Sequence, residues 1–157
     1  MFASSAHRRA FSLIELVIVV VIIGIIGAIA IPRMSRGAAG AADSALTGNM
    51  AVLRNAIDLY QSEHGGTYPL VATFNAQMTT YTDDLGDAQA AKDATHIYGP
   101  YIRVIPPLPV GTATKGNSTV AAAAGAGVGW IYDQATGRIT PNTGTDVDSR
   151  GVLYSSY

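Results

Sequence analysis

Residues 8–32 read RRAFSLIELVIVVVIIGIIGAIAIP. Between Arg9 and Pro32 the only clearly polar side chains are Ser12 and Glu15. A run from Phe11 to Ile31 wound as a helix at about 1.5 Å per residue spans about 31 Å, close to the hydrocarbon thickness of a bilayer. Its Val and Ile content would also suit a buried strand, but the length favours a membrane helix. Arg8 and Arg9 ahead of it place the start in the cytoplasm; Arg33 and Arg36 behind it dilute that signal. Glu15 is the anomaly. A charge at the centre of a membrane helix costs roughly 2.5–3.5 kcal/mol, less near an end, and marks a functional site whose partner must be found.

Three readings of this stretch stay open on the residues alone. It is a plain anchor, with Glu15 tolerated near the headgroups. Or it is a secretory signal peptide, with Leu13 to Ile26 as its apolar region and Ala28-Ile29-Ala30 as a small-x-small cleavage site, so that the mature chain begins at Ile31. Glu15 inside the apolar region and Pro32 just past the cut both weaken that reading. Or a short basic leader ends at Ala10, and the apolar run is kept as a structural helix.

Beyond the run, Pro32 removes a backbone donor and crowds the preceding turn, which predicts a kink there. Gly37, Gly40 and Gly48 weaken the helix further, each by roughly 1 kcal/mol relative to Ala. Leu46, Met50, Leu53, Ile57 and Tyr60 then recur at spacings of four and three, one stripe of an amphipathic helix that seats on a globular part. Gly65-Gly66 and Pro69 end it. From Phe11 to His64 an unbroken helix is on the order of 80 Å long.

On the third of these readings the organisation is 1–10 as leader, 11–31 as a retained transmembrane helix, 32–64 as amphipathic helix, and 65–157 as a β-rich globular region. The expected fold class is α+β, a long N-terminal helix packed against a small antiparallel sheet. A short helix is expected near Asp84 to Lys92, a strand at Tyr98 to Ile105, a loop from Val120 to Gly129, and a hairpin joining Gly129–Tyr132 to Arg138–Thr140. Pro106, Pro107 and Pro109 stop the strand.

The net charge of −1 and the lack of a basic stripe argue against a nucleic-acid partner. Charged residues make up 13% of the chain, about half the usual share, while hydrophobic ones make up 48%, in large part through the one apolar run. No cysteine is present, which removes disulfides, thiol catalysis and thiolate metal sites. Nucleophile, phosphate-loop and metalloprotease motifs are missing, and His7, His64 and His96 are scattered, so no enzyme is expected. Trp130 reads as a core residue of the hairpin. Asp83, Asp84 and Asp87 read as a solvated face.

The basic pair, Phe-Ser-Leu-Ile-Glu at 11–15, the apolar run and Pro32 together resemble the leader and first helix of type IV pilins and of type II secretion pseudopilins. "LYQSEHGGTYP" resembles the end of the long pseudopilin helix, and "GPYIRVIP" and "GWIYDQATGRI" resemble, more loosely, the sheet region of major pseudopilins. The run "PPLPVGT" departs from that region's pattern. The resemblance implies cleavage between Ala10 and Phe11 by a membrane-embedded prepilin peptidase, methylation of the new Phe11 amine, and a role for Glu15 in assembly. Ala10 stands where the family usually has glycine, which predicts slower cleavage. In the family the zone after Pro32 lets the helix bend or stretch on assembly.

The implied product is a homopolymer of copies of this chain. Its partners would be the peptidase, an inner-membrane assembly platform, minor pseudopilins and the membrane. The subunit would sit in the inner membrane with its N-terminus cytoplasmic and its C-terminal domain periplasmic, then enter a periplasmic or surface filament. The absence of a C-terminal cysteine pair tilts the reading toward a pseudopilin that drives export over a pilus subunit for adhesion or motility. A small periplasmic binding domain released at Ile31 is the alternative of a different class. No cofactor is expected. Calcium at Asp146 and Asp148 is a candidate through the family's C-terminal loop sites, although a hard cation needs six to eight oxygens.

Overall fold

A computed structural model of the chain describes residues 11–157. The long helix α1 runs Leu13–Glu63. After it come a 3₁₀ turn at Val71–Thr73, helix α2 at Phe74–Thr79, and the strands β1 (Tyr81–Thr82), β2 (Ala88–Gln89), β3 (Thr119–Ala121), β4 (Val128–Asp133) and β5 (Arg138–Pro141), with a final 3₁₀ turn at Tyr154–Ser156. Strands β1 and β2 form an antiparallel pair; β3, β4 and β5 form a second sheet in that order. This is an α+β arrangement, with a long apolar helix leading into small sheets. The chain divides between Ala38 and Ala39 into two compact units, and α1 contributes to both.

In the first unit, side chains from Phe11 through Ile26 are exposed all around the helix. The Leu13–Ala30 window has a mean hydropathy of 3.1 and is 0% buried, so it is apolar and long enough to cross a membrane. The backbone stays helical at position 32 and on through Gly40. A proline there still leaves the carbonyl four residues earlier without its helical partner.

In the second unit α1 behaves as the stripe predicts. Leu46, Met50, Leu53, Ile57 and Tyr60 are at most 2% exposed, while Val52 and Leu59 on the other face are each 50% exposed. The stripe shares one core with Phe74 and Met78 of α2, Trp130 and Tyr132 of β4, Ile139 of β5, and Ile102, Ile105 and Leu108 from the connection between the sheets. Trp130 is fully buried, and its Nε1–H donates to the Pro106 carbonyl at 2.8 Å. The helix stops where Gly65 (φ 61°) and Gly66 (φ 89°) turn left-handed, and the Gly66 N–H reaches back to the Gln61 carbonyl at 2.9 Å. His64 is buried at this end. Its Nδ1 lies 2.9 Å from the Tyr60 carbonyl, its Nε2 lies 2.8 Å from the Asp83 carbonyl, and its ring stacks on Tyr60 at 3.8 Å.

The hairpin forms as expected, with Trp130 opposite Pro141, Ile131 opposite Thr140 and Tyr132 opposite Ile139. Asp133 closes its turn by accepting the Ala135 N–H and the Thr136 hydroxyl. Gly137 sits at φ 71°, and a Cβ there would strike the ring of Tyr68. Gly137→Ala is therefore expected to destabilise the fold by more than about 1 kcal/mol, through left-handed strain and displacement of Tyr68. Denaturant unfolding checks this; an unchanged midpoint would show that the turn can relax.

Three local expectations are corrected. The short helix lies at Phe74–Thr79, not near Asp84 to Lys92. Phe74, Gln77 and Met78 bury one face there, whereas Leu85 is 85% exposed. Gly86 (φ 84°) packs under Tyr60 and Gln77, and the Asp83 carboxylate takes the Leu85 and Asp87 N–H groups, so the acidic stretch folds as a turn between β1 and β2. Residues Tyr98 to Ile105 form no strand. Tyr98 makes a single bridge to Thr82, and the N–H groups of Tyr101 and Ile102 both cap the Met78 carbonyl at 3.0 Å. Finally, the stretch Val120 to Gly129 is not all loop. Residues Thr119–Ala121 pair parallel with β4, so the hairpin sheet is mixed. The bare Cα of Gly129 admits the Asn117 carbonyl, and Asn142 Nδ2 ties down the Gly125 and Val128 carbonyls.

Candidate functional site

The candidate site is the N-terminal turn of α1. Helical structure begins at Leu13, which makes Ser12 the capping residue and Glu15 the third residue of the first turn. The Leu16 N–H bonds the Ser12 carbonyl at 3.2 Å. The Glu15 carboxylate bends back, and its Oε2 accepts the Ser12 N–H at 2.8 Å. This is one half of a capping box: an otherwise unpaired donor at the helix start is satisfied by the side chain three residues on. The positive end of the helix dipole also favours a carboxylate there. Glu15 is thus already accommodated within its own helix. The signal for this is in the sequence, in the Ser-x-x-Glu spacing of 12–15.

Phe11 is 81% exposed, immediately before the cap. Ala10, on the other side of the expected cut, lies outside the described residues, as do His7 and the Arg8-Arg9 pair. Cutting the Ala10–Phe11 bond would turn the Phe11 amide into an ammonium next to a carboxylate-capped turn. Behind the turn, a Cβ on Gly24 or Gly27 would meet no atom within 4 Å, so the small residues of the helix leave room rather than fill a contact. This unit carries its apolar side chains outward, and among the described residues those from Phe11 through Ile26 are exposed.

Residues 5–31 match the family model described as the prokaryotic N-terminal methylation motif. The chain carries a prepilin-type signal. That motif covers Phe11, Glu15 and the apolar helix, and it supports a type IV pilin-like precursor. With the apolar helix, it points to membrane anchoring. No curated protein and no solved structure matches the chain significantly.

The remaining sequence candidates stay apart from this turn. His96 contacts Asp93 at 3.0 Å on the surface, within a small turn in which Asp93 Oδ1 also takes the Thr95 and His96 N–H groups. Asp146 and Asp148 use their oxygens on different partners. Asp146 accepts the Thr112 N–H and hydroxyl. Asp148 is surrounded by donors, and the Tyr157 hydroxyl foremost holds it well below the usual carboxylate range. Oxygens already taken by N–H and O–H groups do not fit a calcium site, which needs inward-facing oxygens. Among the described residues, no group of three or more His, Asp or Glu is placed to hold a metal.

Proposed function

We propose that this chain is the structural subunit of a type II secretion pseudopilus, made as a prepilin, cleaved after Ala10, methylated on Phe11 and polymerised through its N-terminal helix to support protein export. The observation that carries this reading is the motif match over residues 5–31, which spans the proposed cut after Ala10, Glu15 and an apolar helix whose 13–30 window is 0% buried. Basic residues before the helix favour a cytoplasmic N-terminus and a periplasmic second unit. In the bilayer the apolar helix is solvated by lipid. In a filament it packs against the helices of other copies, and a carboxylate in that core requires a partner. The Phe11 ammonium of the same or a neighbouring copy supplies it, and pairing with a neighbour also sets axial register. Pro32 serves as the place where the helix bends or locally melts on assembly.

N-terminal mass spectrometry of protein extracted from membranes tests the processing step. The expected result is a mature chain beginning at methylated Phe11. A chain beginning at Ile31 would replace this reading with an exported domain released by an ordinary signal peptidase. Deleting the gene separates export from adhesion or motility: loss of secreted protein is expected, and loss of surface filaments with secretion intact would indicate a pilus.

A further inference from the structure

Segment 146–157 is folded around a buried anion. The Asp148 side chain is 0% exposed. Its Oδ1 accepts the N–H groups of Arg150 and Val152, each at 2.8 Å. Its Oδ2 accepts Arg150 Nε at 2.8 Å and the Tyr157 hydroxyl at 2.6 Å, and Arg150 Nη2 lies 2.8 Å away. The same Nη2 donates to the Tyr157 hydroxyl oxygen at 2.9 Å. The loop closes on itself through a bridge between Val147 and Leu153.

This loop is then fastened to the second half of α1. Asp43 accepts the Tyr154 hydroxyl at 2.6 Å and the Ser149 N–H at 3.1 Å. Arg54 Nη2 donates to the Tyr157 carbonyl at 2.7 Å. Tyr154 itself is 8% exposed and joins the core.

A loop that wraps a hard cation turns carbonyl and carboxylate oxygens inward. Here the polarity is reversed: N–H groups, a hydroxyl and a guanidinium converge on a carboxylate. A buried carboxylate needs a paired cation and filled lone pairs, and the planar, permanently charged guanidinium meets both needs. We propose that Arg150 is the built-in counter-cation of this segment, so that its fold and its attachment to α1 require no divalent metal.

The test is thermal unfolding of the full chain in detergent, followed by the fluorescence of Trp130, the only tryptophan. The expected midpoint is the same in millimolar calcium and in EDTA. The Arg150 side chain is 72% exposed, so Arg150→Gln leaves no cavity. That variant is expected to lower the midpoint by about 4 °C or more, and to speed chymotrypsin cleavage at Leu153 and Tyr154. Asp148→Asn, which keeps the shape and removes the charge, is expected to do the same. A midpoint that falls in EDTA and recovers with calcium would overturn the proposal. So would Arg150→Gln with the midpoint and cleavage rate of the unaltered chain.

Discussion

Glu15→Ala is expected to leave the precursor inserted and cleaved but to keep it out of filaments. The proposed cut falls at the Ala10–Phe11 bond, and Glu15 lies on the first turn beyond it. Insertion depends on the apolar run, which loses a charge and becomes easier to bury. Assembly differs because, in the proposed filament, the Phe11 ammonium would enter a packed apolar core and have no carboxylate to meet. A charged group left unpaired by loss of a hydrogen-bonded partner costs about 1.5–3 kcal/mol or more, roughly a ten- to hundredfold loss per contact. Immunoblotting for the shortened chain together with filament counts by electron microscopy measures both steps. Glu15→Gln refines the result, since the amide oxygen can still cap Ser12 but carries no charge. Filament yield from Glu15→Ala equal to that of the unaltered chain would remove the assembly role.

The second large effect is expected at Leu53. Leu53→Ala should destabilise the second unit by about 2–5 kcal/mol, the usual result of truncating a fully buried leucine. Leu53 is 0% exposed within the core shared with Phe74 and Trp130. Its neighbour Val52 is 50% exposed, and Val52→Ala should fall within about 0.5 kcal/mol of the unaltered chain. Denaturant unfolding read from Trp130 compares the two. Equal losses would mean that the stripe does not seat the core as described.

The two helical patterns were legible because periodicity acts over many residues. The 46–60 stripe repeats for four turns, and the 13–30 run has no polar face at all. The hairpin was legible because Trp130, Tyr132 and Ile139 alternate around a turn that needs glycine at position 137. Short elements were not. The two-residue strands β1 and β2 and the six-residue α2 exist because of what lies across from them: Met78 capped by residues 101–102, Gly86 under Tyr60, and Asn142 holding the Gly125 loop. No local pattern records such partners. Of the candidate site, Glu15 and Pro32 stood out by chemistry, and Phe11 through the family resemblance. The bond between Ser12 and Glu15 was also written in the Ser-x-x-Glu spacing.

That bond changes how polymerisation should be pictured. The carboxylate does not wait unsatisfied in the bilayer; the helix already supplies it with a donor at 2.8 Å. If the subunit joins a filament as proposed, one hydrogen-bonded state of Glu15 is exchanged for another. The driving force from this residue is only the difference between the two. On that picture a subunit withdrawn into lipid would recover the Ser12 donor for its carboxylate.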